Sequence, residues 1–169
     1  MGTDSSTDFL KINDQISIKF QEDWNVGIGG GLWSTGLALA HYFIDASSPA
    51  QESKFIQNLD RCKASSGSLD ICELGSGNGF LSAVLAGCLL SASVNNKWKI
   101  NLVVTDLLDH LDMMRRTMQD NGHIIELDQG QEGCNDSNRK IKVNVMEHSW
   151  GVDDELISSG KKFDFIFGR

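Results

Sequence analysis

The feature that most constrains this chain is a short apolar segment, residues 70–74, which runs directly into the glycine-rich sequence Gly-Ser-Gly-Asn-Gly at residues 75–79. The next stretch, residues 79–91, is apolar nearly all round. A strand that ends in glycines and opens a uniformly apolar helix is typical of a βα unit whose helix packs on a sheet. These residues therefore predict the beginning of an α/β domain.

The same alternation continues along the chain. Further strands are predicted at residues 100–105, 141–146 and 163–167, and helices are predicted at residues 107–121 and 152–159. Strands that alternate with helices imply βαβ crossovers and a parallel sheet. We therefore predict a doubly wound, Rossmann-like α/β sheet with four core strands.

The residues before this unit predict an N-terminal extension. Residues 1–10 are expected to form a loose tail, and partial apolar alternation at residues 12–20 predicts a short strand or hairpin. The glycine run at residues 27–31 predicts a turn where the backbone can approach another group closely. Apolar residues at helical spacing predict a helix at residues 33–44 and a second, shorter helix around residues 55–59.

We accordingly divide the chain into two parts. Residues 1–26 are predicted to be a tail with a short strand or hairpin, and residues 27–169 are predicted to belong to one domain. Within that domain, the composition of residues 128–140 predicts a loop.

Composition excludes several classes of protein. The formal net charge of −8 argues against an extended nucleic-acid-binding face, which would need clustered Lys and Arg. An acidic surface would instead attract a basic protein partner. The polar N-terminus lacks the features of a signal peptide, and no apolar run has the length of a membrane span. A cytoplasmic protein, which could also be nuclear, is therefore expected.

The cysteines predict neither a disulfide framework nor a metal site. They show no CxxC pair, and no histidine lies at metal-ligand spacing from them. Cys72 and Cys88 fall in apolar stretches and are predicted to be buried and reduced. The other two cysteines are Cys62 and Cys134.

The glycine loop at residues 75–79 supports the first functional prediction. In a doubly wound sheet the ligand binds beyond the carboxyl ends of the strands, where this loop opens a helix with free N–H groups. Its spacing is Gly-x-Gly-x-Gly, whereas a dinucleotide site has Gly-x-Gly-x-x-Gly and holds a pyrophosphate. A purely structural turn is the alternative. Glu73 before the loop and the apolar helix after it favour a binding loop.

Two further candidate residues follow later strands. Asp106 ends the second strand, and its carboxylate can accept hydrogen bonds from both hydroxyls of an adenosyl ribose. The alternative role for Asp106 is a helix N-cap, although the nearby glycine loop favours ribose binding. Trp150 follows the third strand at the same edge of the sheet. Its indole can line an adenine pocket or simply pack in the core.

Several sequences of this chain occur in the order found in a known family. They are Gly-Gly-Leu-Trp at 30–33, Leu-Ala-Leu-Ala-His-Tyr-Phe at 37–43, Glu-Leu-Gly-Ser-Gly-Asn-Gly-Phe at 73–80, Val-Thr-Asp-Leu at 104–107, Trp-Gly at 150–151 and Phe-Asp-Phe-Ile-Phe-Gly at 163–168. With them the chain resembles the class I, seven-strand methyltransferases that use S-adenosylmethionine (SAM). Within that superfamily it is most similar to the protein-lysine methyltransferases of methyltransferase family 16.

The resemblance implies SAM as cofactor and a protein lysine as methyl acceptor. The cofactor-binding residues that it implies are Trp33, Glu73, Gly75, Ser76, Gly77, Asp106, Trp150 and Gly168. In that arrangement Trp33 borders the cofactor and the glycine loop wraps its methionine end. Asp106 holds the ribose and Trp150 lies beside the adenine. Gly168 begins the loop that follows the fourth strand.

The chain also departs from the family pattern. Many relatives have Asp before the Trp of the third-strand motif, whereas this chain has Glu-His-Ser at residues 147–149. We interpret His148 as a partly exposed residue at the strand end and identify no catalytic residue. The family continues after the fourth strand with an acidic residue and a Tyr at the acceptor site, whereas this sequence stops at Arg169. We therefore expect a truncated product with four of seven strands, the fourth at a sheet edge.

An incomplete sheet leaves several functions open. We expect weak cofactor binding at best and little or no methyl transfer. The alternatives are a catalytically inactive SAM-binding or interaction fragment and a methyltransferase with an acceptor other than lysine. An oxidoreductase that uses NAD is the least favoured, given the Gly-x-Gly-x-Gly spacing and the two tryptophans.

Overall fold

The computed structural model of the chain describes residues 8–48, 54–62, 67–92, 99–128 and 140–168. These residues form an α/β fold in which helices pack on a parallel sheet, and a small hairpin precedes the sheet in sequence. Most of the predicted loop at residues 128–140, Cys134 and the first seven residues of the predicted tail lie outside the described part.

The hairpin consists of two antiparallel strands, β1 (Asp8–Lys11) and β2 (Ser17–Phe20). It confirms the strand or hairpin predicted at residues 12–20. The loose tail predicted at residues 1–10 is wrong for residues 8–10, which belong to β1. The prediction failed because β1 is held by pairing with β2, which the polar pattern of the tail does not reveal.

In the part of the chain that the structure describes, the central sheet has five parallel strands rather than the four predicted. They are β3 (Ser68–Leu74), β4 (Lys99–Asp106), β5 (Ile125–Leu127), β6 (Ile141–Glu147) and β7 (Phe165–Gly168). β5 was missed because three residues are too few to show a periodicity. The parallel pairing confirms the predicted α/β class.

The order of the strands determines where a ligand can bind. From one edge to the other the order is β5, β6, β4, β3 and β7, so β7 lies at an edge as predicted. The chain adds β4 and β6 on one side of β3 and then returns to place β7 on its other side. Strand order therefore reverses at β3. Open α/β sheets bind ligands at such a point, beyond the carboxyl ends of the strands.

The described residues include five α-helices beside the strands. They are α1 (Ser34–Ser47), α2 (Lys54–Cys62), α3 (Phe80–Ser91), α4 (Leu111–Asp120) and α5 (Glu155–Ser158). Residues 80–89 of α3 are all buried, as the uniformly apolar sequence predicts. The helix predicted at residues 107–121 instead begins with a 3-10 turn at Leu108–His110. None of the described helices has the length and apolarity needed to cross a bilayer.

The core lies mainly on one face of the sheet. Leu69 and Ile71 of β3 and Leu102 of β4 pack there in one cluster with residues of α1, α3 and α4. On the opposite face, Cys72 and Val103 form a smaller cluster with Leu156 of α5. Helices thus cover both faces of the sheet, which is the doubly wound arrangement.

The two described cysteines outside α2 are buried and free of disulfides, which confirms the prediction for Cys72 and Cys88. Burial raises the pKa of each thiol to about 12, and the nearby Glu73 carboxylate adds to the effect at Cys72. A thiol with this pKa is about one ten-thousandth thiolate at pH 8, and the thiolate is the nucleophile. We therefore expect both residues to resist alkylation in the folded protein.

Iodoacetamide labelling at pH 8 followed by peptide mass spectrometry checks this expectation. Both cysteines should stay unmodified in the native protein and should react in denaturant. Rapid labelling of either cysteine in the native protein would contradict the burial that the structure shows.

Asn121 connects the hairpin to α4. Its side chain is fully buried, and its amide oxygen accepts a hydrogen bond from the Lys19 N–H at 3.0 Å. Its amide nitrogen donates to the carbonyl oxygens of Lys19 at 2.8 Å and Thr117 at 2.7 Å. Asn121 is also the C-cap of α4, where Asn is a common residue.

Replacing Asn121 with alanine is expected to lower the free energy of unfolding by about 2 kcal/mol, because three hydrogen bonds of a buried amide are lost. The matched control is Gln119→Ala, since Gln119 lies on the exposed face of the same helix. That substitution should change stability by less than about 0.5 kcal/mol. Urea unfolding followed by circular dichroism measures both values. Equal stability of the two variants would show that Asn121 does not hold the hairpin.

Candidate functional site

The glycine loop joins β3 to α3 at the carboxyl end of the sheet. Gly75, Gly77 and Gly79 have φ angles of 68°, 59° and 78°, a region that residues with a Cβ rarely adopt. Gly79 is the N-cap of α3, and a Cβ on it would lie 2.9 Å from the Met118 side chain. The alternating glycines therefore allow a turn that other residues would adopt only with strain.

Buried polar groups hold this loop in place. The Ser76 N–H donates to the Thr105 carbonyl oxygen at 2.9 Å, and the Thr105 hydroxyl donates to the Glu73 carbonyl oxygen at 2.8 Å. The fully buried Glu73 carboxylate accepts hydrogen bonds from the hydroxyls of Ser76, at 2.8 Å, and Ser82. The ends of β3 and β4 and the first turn of α3 thus fix one loop conformation.

Asn78 adds a connection that the sequence analysis missed. Its buried side chain accepts a hydrogen bond from the Phe80 N–H at 3.2 Å and donates to the Gln21 carbonyl oxygen at 3.1 Å. It therefore satisfies a free N–H at the beginning of α3 and ties the loop to the segment after the hairpin. Asn in a glycine loop is explained equally well by its turn preference, so the sequence carries no signal for this role.

Asp106 directs its carboxylate toward the glycine loop. One carboxylate oxygen accepts a hydrogen bond from the Gly77 N–H at 2.6 Å. The other accepts from the Leu107 N–H at 2.7 Å and lies 2.7 Å from Nδ1 of His110. The N-cap of the following 3-10 turn is Leu107 rather than Asp106. Helix capping therefore does not account for Asp106.

A cavity of about 310 Å³ brings together three of the predicted regions. It is lined by Ile28, Gly29, Trp33, Thr35, Gly75, Gly77 and Asp106. The Trp33 ring is 44% exposed, and its Nε1 donates to the Ile28 carbonyl oxygen at 2.9 Å. This bond fixes the indole at the entrance to α1, where one wall of the cavity forms. The volume is that of a small-molecule site.

Trp150 lies on the other side of Gly75. Its ring is 73% exposed, and a Cβ on Gly75 would be 3.8 Å from ring atom Cζ2. It belongs to a second cavity of about 440 Å³, which is lined by Leu74, His148, Trp150, Gly151, Val152, Asp153 and Ile157. Leu74 lines this cavity, and the next residue, Gly75, lines the smaller one. An exposed indole beside an apolar wall suits a flat aromatic group.

His148 differs from the prediction of a partly exposed residue, because it is buried. Its Nδ1 lies 2.6 Å from an Asp154 carboxylate oxygen, and the other oxygen accepts from the N–H groups of Leu156 and Ile157. Desolvation raises the pKa of the Asp154 carboxyl. The hydrogen bonds from His148 and from backbone N–H groups lower this pKa by more, so it lies below its ordinary value. The pair holds the turn that carries Trp150 against α5.

Gly168 ends β7 beside the glycine loop. It pairs with Leu74, and a Cβ on Gly168 would lie 2.7 Å from the Leu74 carbonyl oxygen. A larger residue would push β7 away from β3 at the carboxyl ends of the two strands. Gly168 therefore permits a close approach of the two strands.

A larger cavity, of about 580 Å³, lies elsewhere, between residues 21–26 and α4. It is lined by Gln21, Glu22, Asp23, Trp24, Asn25, Val26, Asp109, Asp112, Met113, Arg116, Thr117 and Asp120. Five of these side chains are carboxylates, and none of the residues belongs to the glycine loop. The chemistry of the loop therefore places the candidate site in the smaller cavity.

A family comparison identifies the domain to which this geometry belongs. The family model described as lysine methyltransferase matches residues 12–168. The chain is a member of the lysine methyltransferase family. No protein with curated annotation matches the chain. The matched residues extend from the turn of the hairpin to β7 and include every predicted site residue.

Membership in the lysine methyltransferase family implies SAM as the methyl donor, and the chemistry of the residues in and beside the cavity is compatible with that molecule. At Gly75 and Gly77 the backbone forms the cavity wall without a side chain in the way. The Asp106 carboxylate provides the acceptor that a ribose diol needs, and Trp33 and Trp150 supply flat apolar surfaces on either side of the loop. The residues present therefore match a ligand with a polar end, a ribose and an aromatic base.

Proposed function

We propose that this chain binds SAM in the cavity between residues 28–35 and the glycine loop, as the cofactor site of a protein-lysine methyltransferase. The observation that carries the proposal is the convergence of Trp33, Gly75, Gly77 and Asp106 on one cavity at the point where strand order reverses. Those residues come from three separate parts of the sequence. Their convergence is expected of a binding site and has no evident purpose in a structural turn.

Each predicted residue has a role in this proposal. Gly75 and Gly77 leave the cavity wall free of side chains where the methionine end of the cofactor would lie, and Asp106 accepts from the ribose diol. The N–H groups of Ser76 and Gly77 donate to Thr105 and Asp106 and so hold the loop in this shape. Trp33 borders the bound molecule, and Trp150 lies against the adenine.

Two residues support the site rather than touch the cofactor. The buried Glu73 carboxylate holds the hydroxyl of Ser76 and so keeps the loop shape. Gly168 keeps the end of β7 close to Leu74. We propose that both residues affect cofactor binding by fixing the position of the loop. Replacing either residue would then change the affinity for the cofactor, although neither residue contacts it.

The proposed acceptor is the side-chain amine of a protein lysine. Bound SAM would supply an activated methyl group, and a neutral amine is the nucleophile that such a group requires. The net charge of −8 favours a basic protein region near the site. The chain's own contribution is to orient the donor and to keep it beside the open edge of the glycine loop.

Calorimetric titration with S-adenosylhomocysteine (SAH), and separately with NAD, tests cofactor identity. We expect saturable binding of SAH and none of NAD at the same concentrations. NAD binding without SAH binding would assign the site to a dinucleotide and reject the proposal.

Methyl transfer from tritiated SAM into a cell lysate, followed by amino-acid analysis of the labelled protein, tests the acceptor. Label recovered in methyllysine supports a lysine acceptor. Label recovered in another amino acid supports a methyltransferase with a different acceptor, and SAH binding without transfer supports a binding module.

A further inference from the structure

His110 lies between Asp106 and the segment from Val26 to Trp33, hereafter the covering segment. It lies four residues after Asp106 and is buried, with a relative exposure of 9%. Its Nδ1 is 2.7 Å from a carboxylate oxygen of Asp106, and its Nε2 is 3.1 Å from the carbonyl oxygen of Val26. The imidazole therefore connects Asp106, the proposed ribose-binding residue, to the segment that leads into the cavity wall.

Both neighbours of this ring are hydrogen-bond acceptors. A neutral imidazole has a single N–H, so it can donate to Asp106 or to Val26 but not to both. The doubly protonated ring donates to both oxygens at once, and its bond to the carboxylate is charge-assisted. The geometry is therefore complete only with the imidazolium form.

The covering segment lies directly on the ring. A Cβ on Gly29 would be 2.5 Å from Cε1 of His110, closer than real Cβ contacts allow. Gly29 and its neighbour Ile28 also line the candidate cofactor cavity, and Trp33 follows them. Movement of His110 would therefore shift the cavity wall.

We propose that His110 is a positioning residue, whose imidazolium ties the segment from Val26 to Trp33 to the Asp106 carboxylate. The inference rests on the proposed cofactor function, because it gives His110 a role in shaping the ribose site. The ring holds the Asp106 side chain through its Nδ1 and the covering segment through the bond of its Nε2 to the Val26 carbonyl oxygen. Loss of either bond weakens cofactor binding without removing a cofactor contact.

Other charged groups on the elements around the ring already have partners or lie outside the contact. The charged residues on these elements are Glu22, Asp23, Asp106, Asp109, Asp112, Arg115, Arg116 and Asp120. Glu22 accepts from the Leu32 N–H, Asp23 accepts from Asn25, and Arg115 pairs with Asp112. Among the described residues, the charged group in contact with His110 is the Asp106 carboxylate.

The first test measures the affinity for SAH between pH 5.5 and 8, the range in which imidazoles titrate. Because only the doubly protonated ring donates to both oxygens, loss of its second proton should lower the wild-type affinity by about tenfold, the value of one charge-assisted hydrogen bond. His110→Gln should bind about tenfold more weakly at pH 5.5 and should show a smaller pH dependence. His148 remains in both proteins, so the difference between their profiles belongs to His110.

A matched control and a second variant separate positioning from folding. His123 is exposed, and His123→Gln should keep the wild-type profile. Gly29→Ala leaves the imidazole intact but displaces it through the added Cβ, so it should reproduce the weaker binding of His110→Gln. Thermal unfolding confirms that each variant is folded under the conditions of the titration.

A readout without ligand distinguishes failure of this inference from failure of the proposed function. Imidazole ¹⁵N NMR of the free protein at pH 6, with His110→Gln for assignment, should show both ring nitrogens of His110 protonated. A wild-type protein that binds SAH with the pH profile of His110→Gln, or a singly protonated ring at pH 6, overturns the role of His110 alone. A protein that binds no SAH at any pH overturns the proposed function, and the role of His110 in it.

Discussion

Replacing Asp106 with alanine is expected to weaken SAH binding about 100-fold, because the carboxylate is the proposed acceptor for the ribose diol and a charged hydrogen bond contributes about 1.5–3 kcal/mol. The substitution also removes the partner of the Gly77 N–H, so the loop loses a contact that fixes its shape. Isothermal titration calorimetry with SAH measures the loss. No other single contact in the site combines these two effects.

The control for this variant is Asp112→Ala. The Asp112 side chain is 84% exposed and pairs with Arg115 on α4. Its replacement changes the net charge by the same amount as the replacement of Asp106. Its affinity for SAH should equal that of the wild-type protein. An affinity of Asp106→Ala within threefold of wild type, in a folded protein, would remove Asp106 from the site.

Replacing Gly77 with arginine is expected to abolish SAH binding and any methyl transfer. Gly77 has a φ of 59° and lines the cavity, so a side chain there is strained and occupies the space proposed for the cofactor. The guanidinium would also lie near the Asp106 carboxylate and compete for it. SAH titration and tritiated-methyl transfer both report this loss.

Gly160→Arg is a control with matched strain. Gly160 has a φ of 61° and follows α5, and a Cβ on it meets no atom within 4 Å. A non-glycine residue in this backbone region costs about 1–2 kcal/mol, so both variants should lose similar stability. SAH binding should survive in Gly160→Arg and disappear in Gly77→Arg. Equal loss in both would mean that strain alone, and not occupation of the cavity, explains the effect.

These two substitutions probe different properties of one site. Asp106 tests whether the site recognises a ribose, and Gly77 tests whether the cavity must be open. A ligand that tolerated Asp106→Ala but not Gly77→Arg would bind the loop without using the carboxylate. The pair of results therefore defines the part of the cofactor that each region holds.

Most of the sheet could be predicted from sequence because its strands and helices are long or strongly patterned. The burial of α3 followed from its uniform apolarity, and β3 and β4 were located to within two residues at each end. β5 and the split between the 3-10 turn and α4 were missed. Those features depend on pairing with β6 and on the contact between Asp106 and His110, which local patterns do not contain.

The sequence pointed to some residues of the candidate cavity and not to others for a similar reason. The glycine loop and Asp106 could be found because they follow strands that share one edge of the sheet. Asn78, Gly29 and His110 have ordinary sequence surroundings, and their roles arise from contacts with Gln21, with the imidazole ring and with Val26. A histidine four residues after a strand-end carboxylate is the one local signal that could have drawn attention to His110.

The sequence by itself determined the α/β class, the glycine loop and the family, because alternating apolar patterns and a short spaced motif are properties of neighbouring residues. The tertiary structure alone decided that Trp33, Gly77 and Asp106 share a cavity and that Trp150 lies across Gly75 from it. It also decided that one imidazole faces two oxygen acceptors. These relations join residues far apart in the chain, and packing of the hairpin, the covering segment and the sheet brings them within hydrogen-bond distance.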